Sequence, residues 1–325
     1  MPRPINRMWR LAKDLQGEPS DDDITWHEEP AGEPGDGEVL VQITHAVVDP
    51  MLWTIGLPPP AKDSPMPGAA LGVVIESRDT TVAVGSKVSG LLGWQTYARV
   101  PAGQVVVHDP AQNLKDEDYL GAVSYIGATA YLGVREIVKP QSGETLVLTA
   151  GAGSVGSIAG QIAKLEGTRV VGIATSAEQC AWLTGELGFD AAIDRRAEDL
   201  GPALARSCPD GVDAIIDGLG GSVLDACLAR LARNARVALF GAASAARPTS
   251  PVHFPAIVNQ RARVQGFSFL DFPMQLPEAL DTLGGWVTAG QLRYRLETLD
   301  GLEHATAAMR RAKSEADVIV LRVRA

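Results

Sequence analysis

The sequence predicts an α/β chain in two parts, a β-rich domain followed by a doubly wound parallel sheet. Three observations predict it. Residues 38–48 (EVLVQITHAVV) alternate apolar and polar as a half-buried strand does, and short apolar pieces separated by Gly and Pro follow. The run Leu146–Lys164 (LVLTAGAGSVGSIAGQIAK) joins a continuous apolar strand to a helical pattern through a Gly-rich turn. Strand and helix signals then alternate to about residue 270, the order that a parallel sheet requires.

Taken in order, residues 1–13 (MPRPINRMWRLAK) are basic without an apolar core, so they are expected to flank a first strand and not to form a secretory leader. Strands are expected at 38–48, Leu71–Ser77, Lys87–Leu91 and Tyr97–Pro101, a spacing that suggests a small β-barrel. Helical character begins near Asp118. Thr145–Thr149 is read as a buried strand, and Ser154–Lys164 as a helix with Val155, Ile158, Ala159 and Ile162 on one face. Further strands are expected at Arg169–Ala174, Ala191–Asp194, Ala214–Asp217, Ala235–Phe240 and Arg263–Leu270. Phe272–Gly290 and Gly301–Lys313 read as helices, and Asp317–Val323 as a last strand.

Gly151, Gly153 and Gly156 spell G-x-G-x-x-G between that strand and that helix. The first Gly permits a tight turn, the second lets backbone approach a pyrophosphate, and the third lets helix and strand pack closely. Gly151, Ala152, Gly153, Ser154, Val155 and Gly156 would then present backbone N–H groups and the positive end of the helix dipole to a dinucleotide. A P-loop is excluded, because no Lys-Ser/Thr pair follows the last Gly. The alternative is a Gly-rich turn with a purely structural role.

Composition narrows the class. Apolar residues make up 46% of the 325, yet no run nears the ~18 residues of a membrane span. The net charge of −10 is spread along the chain, which argues against nucleic acid and for a soluble protein. Cys180, Cys208 and Cys227 form no disulfide or zinc pattern, so a reducing cytoplasm is expected.

The segments DGEVLVQ (36–42), GWQTYA (93–98), GATAYLG (127–133) and KPQSGETLVLTAGAGSVGSIAGQIAK (139–164) point to a known order of parts. So do VVGIATSAEQCAWLTGELGFDAAID (170–194), CPDGVDAIID (208–217) and RVQGFSFLDF (263–272). Together they resemble the medium-chain dehydrogenase/reductase superfamily, in its zinc-independent branch of leukotriene hydroxydehydrogenase, prostaglandin reductases and plant double-bond reductases. The resemblance implies a GroES-like substrate domain at 1–118 and 288–325, and a Rossmann NADP-binding domain at 119–287, with the C-terminus returning to the barrel. It also implies a homodimer.

The resemblance implies no metal here. Where zinc members carry Gly-His-Glu, this chain has Pro67-Gly68-Ala69-Ala70, the four-Cys lobe is missing, and the five His do not cluster. His45 is read as a packed or surface residue.

NADPH is the expected cofactor. The second strand ends in neutral Ile173-Ala174-Thr175-Ser176, without the carboxylate that would take a ribose 2′-hydroxyl and repel a 2′-phosphate. Where the family places a Lys and a Tyr for that phosphate, this sequence has Gln179 and Arg195, and Arg195 can restore a charged, bidentate contact. Arg196 is a weaker candidate for it. The resemblance further assigns Thr129, Thr175, Ser176, Gly218, Gly241, Ala242, Ala243, Asn259, Phe267, Ser268 and Phe269 to the cofactor site. One departure is Glu315-Ala316-Asp317-Val318 in place of Asn-x-Gly-Lys, which either repels a pyrophosphate or points away from it.

Two tyrosines that relatives place by the nicotinamide are replaced by Met51 and Asn259. Tyr125 and Asn259 are therefore the expected catalytic residues, and Met51, Trp53 and Tyr125 the expected substrate pocket. Tyr131 and Trp94 are read as packing. The implied activity is a metal-free hydride delivery from NADPH to a conjugated C=C bond of an apolar substrate, either with simple protonation or as a reductive cyclisation. The alternative is a non-catalytic dinucleotide-binding protein of the same fold, structural or regulatory.

Overall fold

A computed structural model describes residues 3–14, 19–49, 61–241, 252–315 and 318–324. The chain divides into two compact units, residues 1–120 with 296–325, and residues 121–295.

The first unit begins with β1 (Ile5–Leu11) and β2 (Ile24–Pro30), an antiparallel pair in which Trp9 faces Trp26 edge to face. The sequence reading foresaw the first and missed the second, since Ile24–Pro30 carries a polar outer face that hides its alternation. Next come β3 (Glu38–Val48), β4 (Ala70–Ser77), β5 (Lys87–Gly90), β6 (Tyr97–Pro101) and β7 (Val106–Val107). The long β3 pairs antiparallel with both β4 and β6, and its register against β4 shifts twice, at Leu40/Val41 and Ile43/His45. Such bulges bend a strand, the device by which a small sheet curls.

In the second unit, β8 (Thr145–Leu148), β9 (Arg169–Ala174), β10 (Ala191–Asp194), β11 (Val212–Asp217), β12 (Leu231–Leu239) and β13 (Arg263–Gly266) form a parallel sheet in the order β10-β9-β8-β11-β12-β13. This is the doubly wound order, reversing between β8 and β11. The helices between and around these strands are α1 (Tyr125–Leu132), α2 (Ser154–Leu165), α3 (Ala177–Gly185), α4 (Leu200–Ser207), α5 (Gly221–Leu228), α6 (Phe254–Gln260) and α7 (Leu276–Thr288). Val147, Val171, Ile173, Ile215 and Val237 carry the sheet into an apolar core shared with Leu204, Leu228 and Cys227.

The chain then returns to the first unit. There β14 (Glu297–Asp300), α8 (Ala305–Glu315) and β15 (Ile319–Arg322) complete the sheet β14-β15-β3-β4-β5-β7, with β15 antiparallel to β3.

Several element boundaries differ from the sequence reading: the strand expected at Ala235–Phe240 runs Leu231–Leu239, and the helix expected at Gly301–Lys313 runs Ala305–Glu315. The expected strand Arg263–Leu270 stops at Gly266, because Ser268 caps a short turn at Phe269–Asp271: its hydroxyl accepts from Leu270 N, and Asp271 accepts from Ser268 N. The helix expected from Phe272 starts at Leu276, where Pro277 fits a first turn that lacks N–H partners anyway. The last strand begins at Ile319. Between α1 and Lys139 the chain also makes a π-helical turn, Gly133–Val138, which no periodicity announced.

Candidate functional site

The candidate site is built on the C-terminal ends of the parallel strands, where ligands of such sheets bind. After β8 the chain turns at Ala150–Gly153 and enters α2, whose first turn carries Ser154 and Val155. The two outer glycines are required by space. A Cβ on Gly151 would lie 2.7 Å from the Gly172 Cα of the neighbouring strand, and one on Gly156 would press into the Ala150 carbonyl. Gly153 caps the helix in an extended conformation, φ −73°. None of the three has positive φ, so the first glycine serves close approach of strands more than the turn itself. The result is a helix N-terminus that no side chain among the described residues caps, which fits a pyrophosphate.

The loop after β11 is fixed by a residue that the sequence reading did not single out. Asp217 is 1% exposed, and its carboxylate accepts from the Thr149 hydroxyl at 2.6 Å, from Gly220 N at 2.9 Å and from Leu219 N at 3.2 Å. Burial pushes its pKa up, and these donors oppose the shift. Asp217 thereby ties the ends of β8 and β11 together beneath Gly218. The signal available in the sequence was an acid closing an apolar strand just before a Gly-Leu-Gly-Gly turn.

At the end of β9, Ser176 caps α3 by accepting from Gln179 N at 3.2 Å. Gln179, expected at a ribose phosphate, turns its side-chain carbonyl inward, where it accepts from Thr175 N at 2.9 Å and the Thr175 hydroxyl at 3.0 Å. Only its amide donors remain for a ligand. Arg195 follows β10, bonded to β9 through its own N–H to Ala174 O, and its side chain is exposed. It stands beside the neutral strand end with no ion pair among the described residues.

Tyr125, Thr129 and Phe269 come together on a second wall. Tyr125 opens α1 after its cap Ser124, and its ring lies 6.0 Å from that of Phe269. Thr129 is buried and donates its hydroxyl to Tyr125 O at 2.7 Å, which leaves its lone pairs free to accept. Phe267 is held by its N–H to Leu239 O, so the turn after β13 reaches the end of β12. Gly241 directly follows that end.

Asn259 lies in α6, which packs on β12 and α5, and it is exposed. Tyr131 is buried and accepts from Arg135 at 3.1 Å, and Trp94 is wholly buried, donating to Val47 O at 2.9 Å. His45 is likewise buried, with Nδ1 3.1 Å from the Thr44 hydroxyl. Met51, Trp53, Ala242, Ala243 and Asp317 lie outside the described residues. Among the described residues no three His, Cys, Asp or Glu are gathered for a metal, and no helix is long and apolar enough to cross a membrane.

Comparison with known proteins agrees with this geometry. Residues 154–284 match the model of the zinc-binding dehydrogenases, and residues 7–107 that of the N-terminal domain of oxidoreductases. NADPH-dependent curcumin reductase of Escherichia coli is 35% identical over 317 residues, 92% of this chain and 91% of its own length. Prostaglandin reductase 1 of rat (Rattus norvegicus) is 33% identical over 93% of this chain and 94% of its own. The crystal structure of CurA from Vibrio vulnificus in complex with NADPH superposes with a TM-score of 0.88 at 29% identity, covering 98% of this chain and 99% of that one.

Proposed function

The chain belongs to the zinc-independent branch of the medium-chain dehydrogenase/reductase family, and from that premise we propose that it is an NADPH-dependent reductase of conjugated C=C bonds. One observation carries the reading: a helix N-terminus after β8 that is uncapped by a side chain, and an Arg195 without an ion pair beside a neutral strand end, both among the described residues, are suited to a pyrophosphate and a 2′-phosphate.

NADPH supplies a hydride, which goes to the β-carbon of an α,β-unsaturated carbonyl. The C=C π pair shifts to the bond between the α-carbon and the carbonyl carbon while the C=O π pair moves onto oxygen, and a proton then reaches the α-carbon, which restores C=O and gives the saturated product. Gly151 to Gly156 with Ala152, Ser154 and Val155 hold the phosphates, and Thr175, Ser176 and the Gln179 amide line the ribose beside Arg195. Thr129, Gly218, Gly241 and the turn Phe267–Phe269 hold the nicotinamide half. The Tyr125 phenol donates to the developing oxyanion, and the Asn259 amide donates to a ribose hydroxyl or the carbonyl. The packing of Tyr125 on Phe269 supports an apolar substrate. No ligand set among the described residues suggests a Lewis acid, and the reading is of a metal-free enzyme. Where the acceptor carries a second electrophilic carbon, the carbanion attacks it, and the same hydride delivery closes a ring.

The unit of residues 1–120 with 296–325 is read as the substrate domain and that of residues 121–295 as the NADP-binding domain. Three free cysteines support a reducing cytoplasm. A homodimer is supported by the sheet-edge position of β13 and by exposed Phe254, Val258, Val264 and Met274 around it. Light scattering at a single chain mass would reject it.

The test is deuteride transfer. The enzyme is incubated with 4-deuterated NADPH and a panel of apolar enones, and the products are read by mass spectrometry. Label at the β-carbon is expected, with a lower rate in Tyr125→Phe at unchanged NADPH affinity. NADPH bound with no label in any product would replace this reading with the non-catalytic one.

A further inference from the structure

Faces of a parallel sheet are normally filled by apolar side chains. At the far end of the second unit from the cofactor loops, one stretch is not. Between the π-helical turn Gly133–Val138 and the strands β12 and β13 lies a cavity of about 480 Å³, whose polar wall is Glu136, Lys139, Gln141, Arg236, Arg263 and Gln265. Irregular turns of the π type recur at functional sites.

The walls are fixed in advance. The Arg236 guanidinium donates to Val138 O at 2.7 Å and to Glu144 at 3.1 Å, with a second, closer contact to the same carboxylate. Glu144 also accepts from Gln141 N at 2.7 Å, and Gln141 donates to Lys139 O at 3.0 Å. The Arg236 charge holds the Glu144 carboxyl below its ordinary range. Lys139 pairs with Glu136 at 3.2 Å. Two of the cavity's three cations thus have carboxylate partners.

Arg263 has none. It lies directly beside Arg236 in the parallel register of β12 and β13, a like-charge neighbour pair that costs stability when nothing lies between. It forms no ion pair among the described residues. Gln265, two residues on, faces the same side of the strand, while Val264 faces the other. A planar guanidinium flanked by amides matches a carboxylate or phosphate in fork geometry.

We propose that this cavity is an anion-binding site, separate from the cofactor loops, for a small metabolite bearing phosphate or carboxylate groups, with Arg263 as its principal contact. The volume exceeds what a single inorganic phosphate fills, so the class is a diphosphate-bearing metabolite or a polycarboxylate.

The test uses the full chain saturated with NADP⁺, so that the cofactor's own phosphate contacts are occupied. Pyrophosphate and citrate are titrated separately by calorimetry at an ionic strength held constant with sodium chloride. Saturable binding of at least one of them is expected, weakened roughly tenfold or more in Arg263→Gln and partly recovered in Arg263→Lys. Preference for pyrophosphate assigns the ligand to the phosphates, and preference for citrate to the polycarboxylates. No saturable heat beyond the chloride control, or equal binding by Arg263→Gln and the parent, overturns the proposal.

Discussion

The two units of this chain bury their polar groups in different ways. In the unit of residues 1–120 with 296–325, buried polar side chains fasten segments of sheet to one another. Asn6 accepts from Thr96 N at 3.1 Å and Tyr97 N at 2.9 Å and donates to Gln95 at 3.0 Å, while His108 sits 2.8 Å from the Ser89 hydroxyl and 4.0 Å, ring to ring, from Tyr119. In the unit of residues 121–295 the sheet interior is apolar, and Thr149 and Asp217 collect where strands end and ligand loops begin. The first arrangement makes polar groups part of the scaffold. The second keeps the middle of its sheet apolar and sets the buried Thr149–Asp217 pair at the strand ends, with Gln161 tying α2 to Arg293 outside the sheet, so the two units should fail in different ways.

The sharpest contrast is tested at Gly156. A side chain there must displace the Ala150 carbonyl, which is backbone and cannot rotate away. Gly156→Val is expected to cost about 3 kcal/mol or more, the upper end for overpacking, and to abolish NADPH binding. Thermal unfolding and a fluorescence titration with NADPH check both. A variant that melts like the parent and still binds would show that the cradle is not built on this approach.

The next test lies in the other unit and uses acid. Burial, aided by the Lys87 charge, lowers the His108 pKa from 6.5 to about 4. A depressed pKa means that the folded unit disfavours the proton, so its stabilising share is complete above pH 6.5 and is lost as pH falls toward 4. The limit of that loss is on the order of 3 kcal/mol. His45, also lowered by burial although Asp116 and Glu117 pull it up, adds to the same slope. The protection of β5 and β7 amides, taken against the intrinsic exchange rate at each pH, should therefore fall between pH 6.5 and 4 more than that of β8 and β11, and His108→Gln should flatten the difference. An equal fall in both units would remove the contrast.

The same division decides what the sequence disclosed. In the second unit β8 is short, buried along its whole length and followed by glycines, so the strand and the G-x-G-x-x-G turn could be read directly. In the first, β2 shows a mostly exposed face and β14 is only four residues long, and each becomes a strand through a distant partner, β1 or β15. At the site, backbone-built parts were legible because glycine announces them. Gln179 was not, since its inward turn toward Thr175 depends on rotamer and partner. Asp217 was passed over because a buried acid at a strand end looks like any other loop acid until its donors are seen.

The smallest effect asks whether polarity at the second unit's rim selects the cofactor. Arg195 is exposed, and the Gln179 carbonyl is already occupied, so the proposed reading gives the 2′-phosphate contact to Arg195. In water such a contact is screened, and its loss belongs near the low end for bonds to charged groups, about 1.5 kcal/mol or roughly tenfold in affinity. Arg195→Ala should weaken NADPH by that factor and leave NADH nearly unchanged, because NADH lacks the phosphate. Raising the salt should shrink the difference between variant and parent, as expected of an exposed charge. Parallel titrations with both cofactors decide it: equal weakening of NADPH and NADH would mean that Arg195 supports the loop after β10 and does not read the phosphate.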